Sequence, residues 1–346
     1  MRNQPKISIL IVSYNSEKYI AACLDSVLAT SYKKKEVIIV DNGSSDNTPE
    51  ILLKYKKKVR LFLLAKNLGY AEGNNFAATK AKGSLLLVLN PDTVVSSNFI
   101  QPLVERMLST SDVAACQPAV YLLHDQTHLN LTGKVAHYLG FDWIRDYKKV
   151  TPPPAGILTS ISGSCVLLNK ELFKKTYLFD KDFFLYFEDS DLSWRARLLG
   201  YTLWFVPEST IYHDYTFVPD PSYLKLNTKV YFYERNRLAM ILQNYSIKTI
   251  IFILPVLILM EIGTIIFAIQ TGTIKGKLKS YIGLTGMIRN VLRKRERIQN
   301  IRIVSDKQIL KDMAATITFE PFLSVAMKYI VNPWLWFYYK ALIRFI

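Results

Sequence analysis

Apolar and polar positions alternate in blocks along the first half of the chain. Lys6 to Tyr14 (KISILIVSY) is a continuous β-branched run, the pattern of a strand covered on both faces in a parallel sheet. After Ser16, a residue able to cap a helix, apolar positions recur at Tyr19, Ile20, Leu24, Val27 and Leu28 with helical spacing. A second strand over Glu36 to Val40 ends in the turn cluster Asp41-Asn42-Gly43-Ser44, and a helix follows from about Thr48 with Pro49 in its first turn. Then come a strand over Val59 to Leu64, a helix over Ala71 to Ala81, and a strand over Ser84 to Leu89 closing in Asn90-Pro91-Asp92. This rhythm predicts βαβ units, and so an α/β fold with a doubly wound, mostly parallel sheet. Polar residues gather just after the strand ends, at Tyr14-Asn15, Asp41-Asn42, Asn90 and Asp92. Open α/β sheets bind ligands at that place. One site built from three strand ends is expected.

The pattern changes near residue 240, which divides the chain into a site-bearing domain, 1–240, and a helical, basic and apolar region, 241–346. The net charge is +16, and residues 241–346 hold 15 Lys/Arg against five Asp/Glu. Between Lys248 and Lys275 lie 26 residues whose only ionisable group is Glu261. As a helix that segment would run about 39 Å, enough to cross a ~30 Å hydrocarbon core. A single crossing would place the basic block 275–311, including Arg293 to Arg297 (RKRER), opposite a cytosolic site-bearing domain, against the positive-inside tendency. A monotopic attachment is therefore expected at the cytoplasmic face of the cell membrane. The apolar segment would break near Pro255 or Gly263, the basic stretch would meet anionic headgroups, and PWLWFYY (Pro333 to Tyr339) would lie at the interface. A single-pass helix is the alternative. The N-terminus lacks a signal-peptide pattern, and three scattered cysteines (Cys23, Cys116, Cys165) suit a reducing compartment.

Several residues could carry chemistry. Asp41, at a strand end, can accept from the N3–H of a uracil or thymine, with Tyr14 offering a ring to stack upon; capping the turn is the other reading. Asp46 reads as a helix cap. Asp92, closing the strand LLLVLN, suits Mg²⁺ or Mn²⁺ with water and diphosphate oxygens completing the shell. The segment FFLYFEDSDLSWRARLLGY places Glu188, Asp189 and Asp191 at a helix start. Crowded carboxylates of this kind are expected to raise a pKa, as a general base requires. His213 is either a core histidine or a group on or behind the metal. Arg235 and Arg237 could grip a diphosphate or line a membrane rim. No GxxxxGK[ST] loop and no GxGxxG after the first strand argue against a P-loop NTPase and a dinucleotide dehydrogenase. The basic cluster sits between apolar segments, which argues against a nucleic-acid partner.

The order VSYNSEKYIAACLDSV, VDNGSSDNT, NLGYAEGNN, LNPD, SGSCVLL, FEDSDLSWRARLLGY, YERNRL, over Lys6 to Asn244, resembles the family 2 glycosyltransferases of GT-A fold, especially a rhamnosyltransferase-like branch. The resemblance implies an inverting transfer from a nucleotide sugar to a lipid-linked saccharide or polysaccharide acceptor. It puts Tyr14, Asn15, Asp41, Asn67, Gly69, Asn74, Asn90 and Arg235 on the donor, and Gly163 and Asp191 on the acceptor side. Asp92 and His213 would hold a divalent cation, and Asp189, with Glu188, would serve as base. Asn90 replaces the first acid of the family's DxD-type motif. A non-catalytic nucleotide-sugar or lipid-binding adaptor is the competing reading, in which the three acids would be dispensable.

Overall fold

The computed structural model describes residues 4–174, 176–215, 223–319 and 323–346. The chain order is β1 (Ile7–Ser13), α1 (Ile20–Leu28), β2 (Lys35–Asp41), α2 (Thr48–Tyr55), β3 (Arg60–Leu63), α3 (Gly69–Lys80), β4 (Leu85–Leu89), β5 (Thr93–Val95), α4 (Ile100–Met107), β6 (Val113–Leu122), β7 (Leu129–Leu131), β8 (Lys134–Ala136), β9 (Asp142–Ile144), β10 (Gly156–Ile157), β11 (Cys165–Asn169), α5 (Glu188–Leu198), β12 (Thr202–His213), α6 (Tyr223–Asn244), α7 (Ile247–Gln270), α8 (Ile274–Ile301), α9 (Asp306–Lys311) and α10 (Asn332–Phe345). It forms two compact units. The first comprises Met1–Lys134, Ile144–Ala196 and Tyr201–Thr216; the second comprises Val135–Trp143, Arg197–Gly200 and Phe217–Ile346. The division falls before α6 rather than at residue 240, because a cut at 240 would sever one continuous helix.

The first unit is built on a sheet of order β10-β12-β6-β11-β4-β1-β2-β3, with β5 beside β12 and β7 beside β6. β4, β1, β2 and β3 run parallel, and so do β6 and β12, while β11 runs opposite to its neighbours β4 and β6. Alternate residues of each parallel strand serve two different cores. Ile7, Ile9 and Ile11 join Val37, Ile39, Leu85, Leu87 and Leu89 beneath α1 and α4. Leu10 and Val12 join Ile38, Val40, Leu86 and Val88 beneath α3 and α5. That two-sided burial is why these strands read as unbroken apolar runs. Helix α1 begins at Ile20 after Tyr19, with no side-chain cap; Ser16 instead bonds the Tyr14 carbonyl.

In the second unit α6 and α8 pack along one another. The carbonyls that α6 leaves open at its C-terminus are closed from α8: Arg295 donates to Leu242 and Tyr245 at 2.6 Å each, and Gln299 donates to Asn244 at 2.9 Å. Part of the basic block is thus spent on capping. Helix α7 is a single helix from Ile247 to Gln270, passing through both Pro255 and Gly263. The break expected at either position is absent. Pro255 sits in the third turn, where its ring and missing N–H cost one bond, and the apolar packing of Ile253, Val256 and Met260 holds the helix through it.

Candidate active site

The register of the central strands brings three loop starts together. Ser13 lies opposite Asp41, and Ile11 lies opposite Leu89, so the carboxyl ends of β1, β2 and β4 are neighbours. Asp41 is buried and closes the turn that follows it: the Ser44 hydroxyl donates at 2.6 Å and the Ser44 N–H at 3.1 Å. The turn-capping reading is therefore realised in its geometry. Asn15 adopts a left-handed φ of 49°, a conformation Asn tolerates, and its amide oxygen accepts the Ser45 N–H at 2.9 Å. Tyr14 beside it is 48% exposed, with a ring free to stack. Asn42 ties this corner to the next loop, donating to Asn67 Oδ1 and to the Gly69 carbonyl at 3.0 Å each. Asn67 Oδ1 also takes the Gly69 N–H at 2.7 Å. Gly69 has a φ of 82°, and a Cβ there would fall 2.5 Å from the Phe184 ring. The Asn74 and Asn90 amide oxygens are buried and make no hydrogen bond, and polar groups so placed favour a ligand that supplies a donor or a cation.

Beyond β4, Asp92 meets His213 at the end of β12. Asp92 Oδ1 and His213 Nε2 lie 3.2 Å apart. On the other side of the ring, His213 Nδ1 bonds Asn130 Oδ1 at 2.9 Å. An amide oxygen has no proton to give, so Nδ1 donates, and in the neutral ring Nε2 keeps its lone pair facing the carboxylate. Two lone pairs at that distance are favourable only with positive charge on or between them. The pair thus fits a divalent cation, with one carboxylate and one imidazole held from behind, donors suited to Mn²⁺ or Mg²⁺.

Asp189 stands at the start of α5, and both its oxygens are engaged. Oδ1 accepts from Lys134 Nζ and from the Ser190 N–H, each at 2.8 Å, and Oδ2 accepts the Gly163 N–H at 2.9 Å. The Gly163 carbonyl in turn takes the Tyr70 hydroxyl at 2.6 Å, and the Ser164 carbonyl takes the Asn90 N–H at 2.9 Å. The turn 163–164 is therefore hydrogen-bonded to Asp189 on one side and to the strand end carrying Asp92 on the other. The Tyr70 hydroxyl senses both. Burial pushes its pKa well above the usual phenol value, and the charges of Glu188, Asp189 and Asp92 add to the rise. The segment leading into α5 is strained, with φ of 64°, 68° and 68° at Phe184, Tyr186 and Phe187. For bulky residues such a conformation persists only where surrounding structure holds it.

The Glycosyl transferase family 2 profile matches residues 8–177, the span that holds all three strand ends and the 163–164 turn. That matched region belongs to glycosyl transferase family 2. Among its relatives are the poly-beta-1,6-N-acetyl-D-glucosamine synthases of Staphylococcus epidermidis, 28% identical over 207 residues, and of Staphylococcus aureus (strain COL), 28% identical over 205. These alignments cover 59% and 58% of this chain, which spans about half the length of either relative, 48% in each case. The crystal structure of GalNAc-T7 with UDP, GalNAc and Mn²⁺ shares the fold at a TM-score of 0.54. It is 19% identical and covers 69% of this chain and 52% of its own. The expected GT-A architecture is confirmed.

Several of the expected site residues have partners within their own unit. Asp191, expected on the acceptor side, is fully buried in an ion pair with Arg195 at 2.7 Å, and Arg195 also donates to the Tyr177 and Leu178 carbonyls. Asp189 and Asp191 thus each have a cationic partner, which relieves the repulsion expected among the acids. Arg235 and Arg237 belong to the second unit. The Arg235 guanidinium bonds Asn236 and Tyr231, and Arg237 is fully buried between Glu234 and Glu261. Three residues went unnoticed in the sequence: Lys134, Asn130 and Tyr70. Lys134 pairs with an acid 55 positions away and Asn130 with a histidine 83 away, and no local pattern carries such pairings.

Proposed function

We propose that this chain is an inverting glycosyltransferase that moves a sugar from a nucleotide-sugar donor to a lipid-linked or polysaccharide acceptor in cell-surface glycan synthesis. The observation that carries this reading is the 163–164 turn, which links Asp189 to the strand end bearing Asp92. The acceptor hydroxyl gives its proton to Asp189 as its oxygen attacks the anomeric carbon from the face opposite the leaving group. The bond from that carbon to the diphosphate oxygen breaks, and the nucleoside diphosphate departs with the electron pair. Lys134 orients Asp189 until the hydroxyl takes its place, while Glu188 adds negative potential beside it. Asp92 and His213 would hold a divalent cation, which when bound offsets charge on the departing diphosphate. Tyr14, Asn15 and Asp41 would take the nucleotide base, and Asn67, Gly69, Asn74 and Asn90 would line the rest of the donor. The relatives' names support a glycan product, and the branch resemblance makes dTDP-rhamnose the first donor to test.

The second unit supports attachment to an anionic membrane surface at the cytoplasmic face. Helix α7 is long and apolar enough to cross a bilayer, and only 11% of its most apolar window is buried. Trp336 and Phe337 of α10 are exposed, as are Lys275, Lys279, Arg289 and Arg293 of α8. Aromatic and basic side chains together suit the headgroup region.

Two variants test the chemistry. Asp189→Asn is expected to bind donor as the native chain does and to lose transfer; ordinary turnover would remove Asp189 as the base. Asp92→Ala is expected to abolish the response of donor affinity to Mn²⁺, and an unchanged response removes Asp92 from the cation site. Donor identity follows from a thermal-shift series over dTDP-, UDP- and GDP-sugars with Mn²⁺ or Mg²⁺, because a bound donor stabilises the folded state by mass action.

A further inference from the structure

Apart from Lys248 in its first turn, α7 contains a single ionisable residue, Glu261. A carboxylate in the middle of so apolar a helix is costly in hydrocarbon, yet this one does not stand in apolar surroundings. Its Oε2 accepts from Lys277 Nζ and from the Tyr281 hydroxyl, each at 2.7 Å, and its Oε1 pairs with Arg237. Arg237 and Lys277 both also bond Glu234. Two acids and two bases alternate in a closed ring contributed by three helices, with Arg237 and Lys277 almost wholly buried.

Two more observations bear on what this ring does. Helix α7 is fastened elsewhere along its length. At its start, the Ser246 N–H and the Thr249 hydroxyl bond Asp306; in its second turn, the Phe252 carbonyl takes the Tyr338 hydroxyl and the Phe252 ring stacks on Phe345. At its end the Ala268 carbonyl accepts the Thr273 N–H in the turn to α8. Helix α8 itself carries eight Lys/Arg and Glu296 in 28 residues, so it cannot follow α7 into a bilayer. The side of α7 away from these anchors, with Ile251, Ile258, Leu259, Ile262 and Ile266, is exposed.

We infer that the ring of Glu234, Arg237, Glu261 and Lys277 clasps α7 lengthwise against α6 and α8, so that α7 lies in the plane of the membrane interface with both ends on one side. Freed from the ring, α7 would leave two buried cations facing Glu234 alone and would take a bare carboxylate into lipid; both are unfavourable. The uncovered side of α7 then faces the acyl chains, as in other interfacial helices. The inference rests on the membrane attachment proposed above and adds how the helix is oriented and what holds it so.

The test uses the full chain in sealed membrane vesicles from expressing cells, with Lys248→Cys and Thr271→Cys as single reporters at the two exposed ends of α7. The three native cysteines are buried, so a membrane-impermeant maleimide reads the introduced thiol. If the chain is absent from the vesicle fraction, membrane attachment itself fails. With the chain present, both reporters should react from the same side, to equal extent before and after detergent. Reaction from opposite sides means that α7 crosses, and it overturns the inference while leaving attachment standing. Glu261→Leu should release the helix, cutting labelling at position 271 more than tenfold relative to position 248 until detergent is added. If that variant remains same-sided, the ring is not what holds α7, and the inference falls. Should Glu261→Leu fail to accumulate, Glu261→Leu/Lys277→Met, which leaves Glu234 matched with Arg237, is read by the same two outcomes.

Discussion

The two units use charged side chains in opposite ways. In the sheet unit, Asp92 and Asp189 sit just past strand ends or at a helix start, each with a cationic or ring-nitrogen neighbour on one side and with backbone or amide groups of the 90 and 163–164 turns nearby. The Asp92 side chain retains 31% exposure, so a ligand can reach it. In the helical unit, Glu234, Glu261, Arg237 and Lys277 pair with one another in a closed ring. Asp92 is left open on one side, whereas the carboxylates that hold the helices together are closed off. Carboxylate content alone does not separate a site from a brace; the kind of neighbour does, backbone N–H groups beside one lysine for Asp189 and two paired cations for Glu261.

Substitutions can break that contrast. Asp189→Asn carries the largest expected effect, a loss of about 10⁴-fold in transfer, the upper range for removal of a general base, with unfolding temperature and donor affinity near native in the same preparation. Arg237→Met should do the reverse: it strands two buried acids with one base and lowers unfolding free energy by ~3–5 kcal/mol, read by denaturant titration, while donor affinity of the folded fraction holds. Lys134→Met is intermediate in kind. It leaves Asp189 its backbone donors but loosens its aim, and misplacement of a reacting group costs on the order of 10²-fold; kcat should fall with KM for donor unchanged, and Lys134→Arg should recover part of the loss. The smallest effect is in pH. Burial first, then the nearby Arg237 charge, pushes His137 of the helical unit down to about 3, and its Nδ1 accepts the Leu139 N–H at 3.2 Å. An unfolded histidine binds its proton near pH 6.5. The stability that comes from keeping the ring neutral is present above that pH and is lost as the solution is acidified from 6.5 toward 3. Between pH 6.5 and 5 the loss is roughly 2 kcal/mol. His137→Phe should flatten that part of the profile.

What could be read from the sequence follows the range of each interaction. The strands β1, β2 and β4 and the cluster of polar residues at their ends were legible because two-sided burial writes itself as runs of Ile, Val and Leu. The acids at the start of α5 stood out for the same local reason. Partners set by folding were not legible. Asp191 looked like its neighbour Asp189, and only Arg195, buried one turn on, assigns it to the interior. Glu261 was conspicuous in an apolar run, but Arg237 and Lys277 lie 24 and 16 positions away on other helices. Pro255 and Gly263 looked like breaks because local propensity opposes helix there, yet one helix runs through both.

The contact of Gly69 with Phe184 has a consequence of its own. Position 69 heads the helix next to Asn67, and Phe184 opens the strained approach to Glu188 and Asp189. With no room for even a methyl group between them, the loop of Asn67 and the acid-bearing loop are geared together. Neither can shift by the width of one carbon without turning the other, so the spacing between Asn67 and the acids of α5 is set at a position that carries no polar side chain.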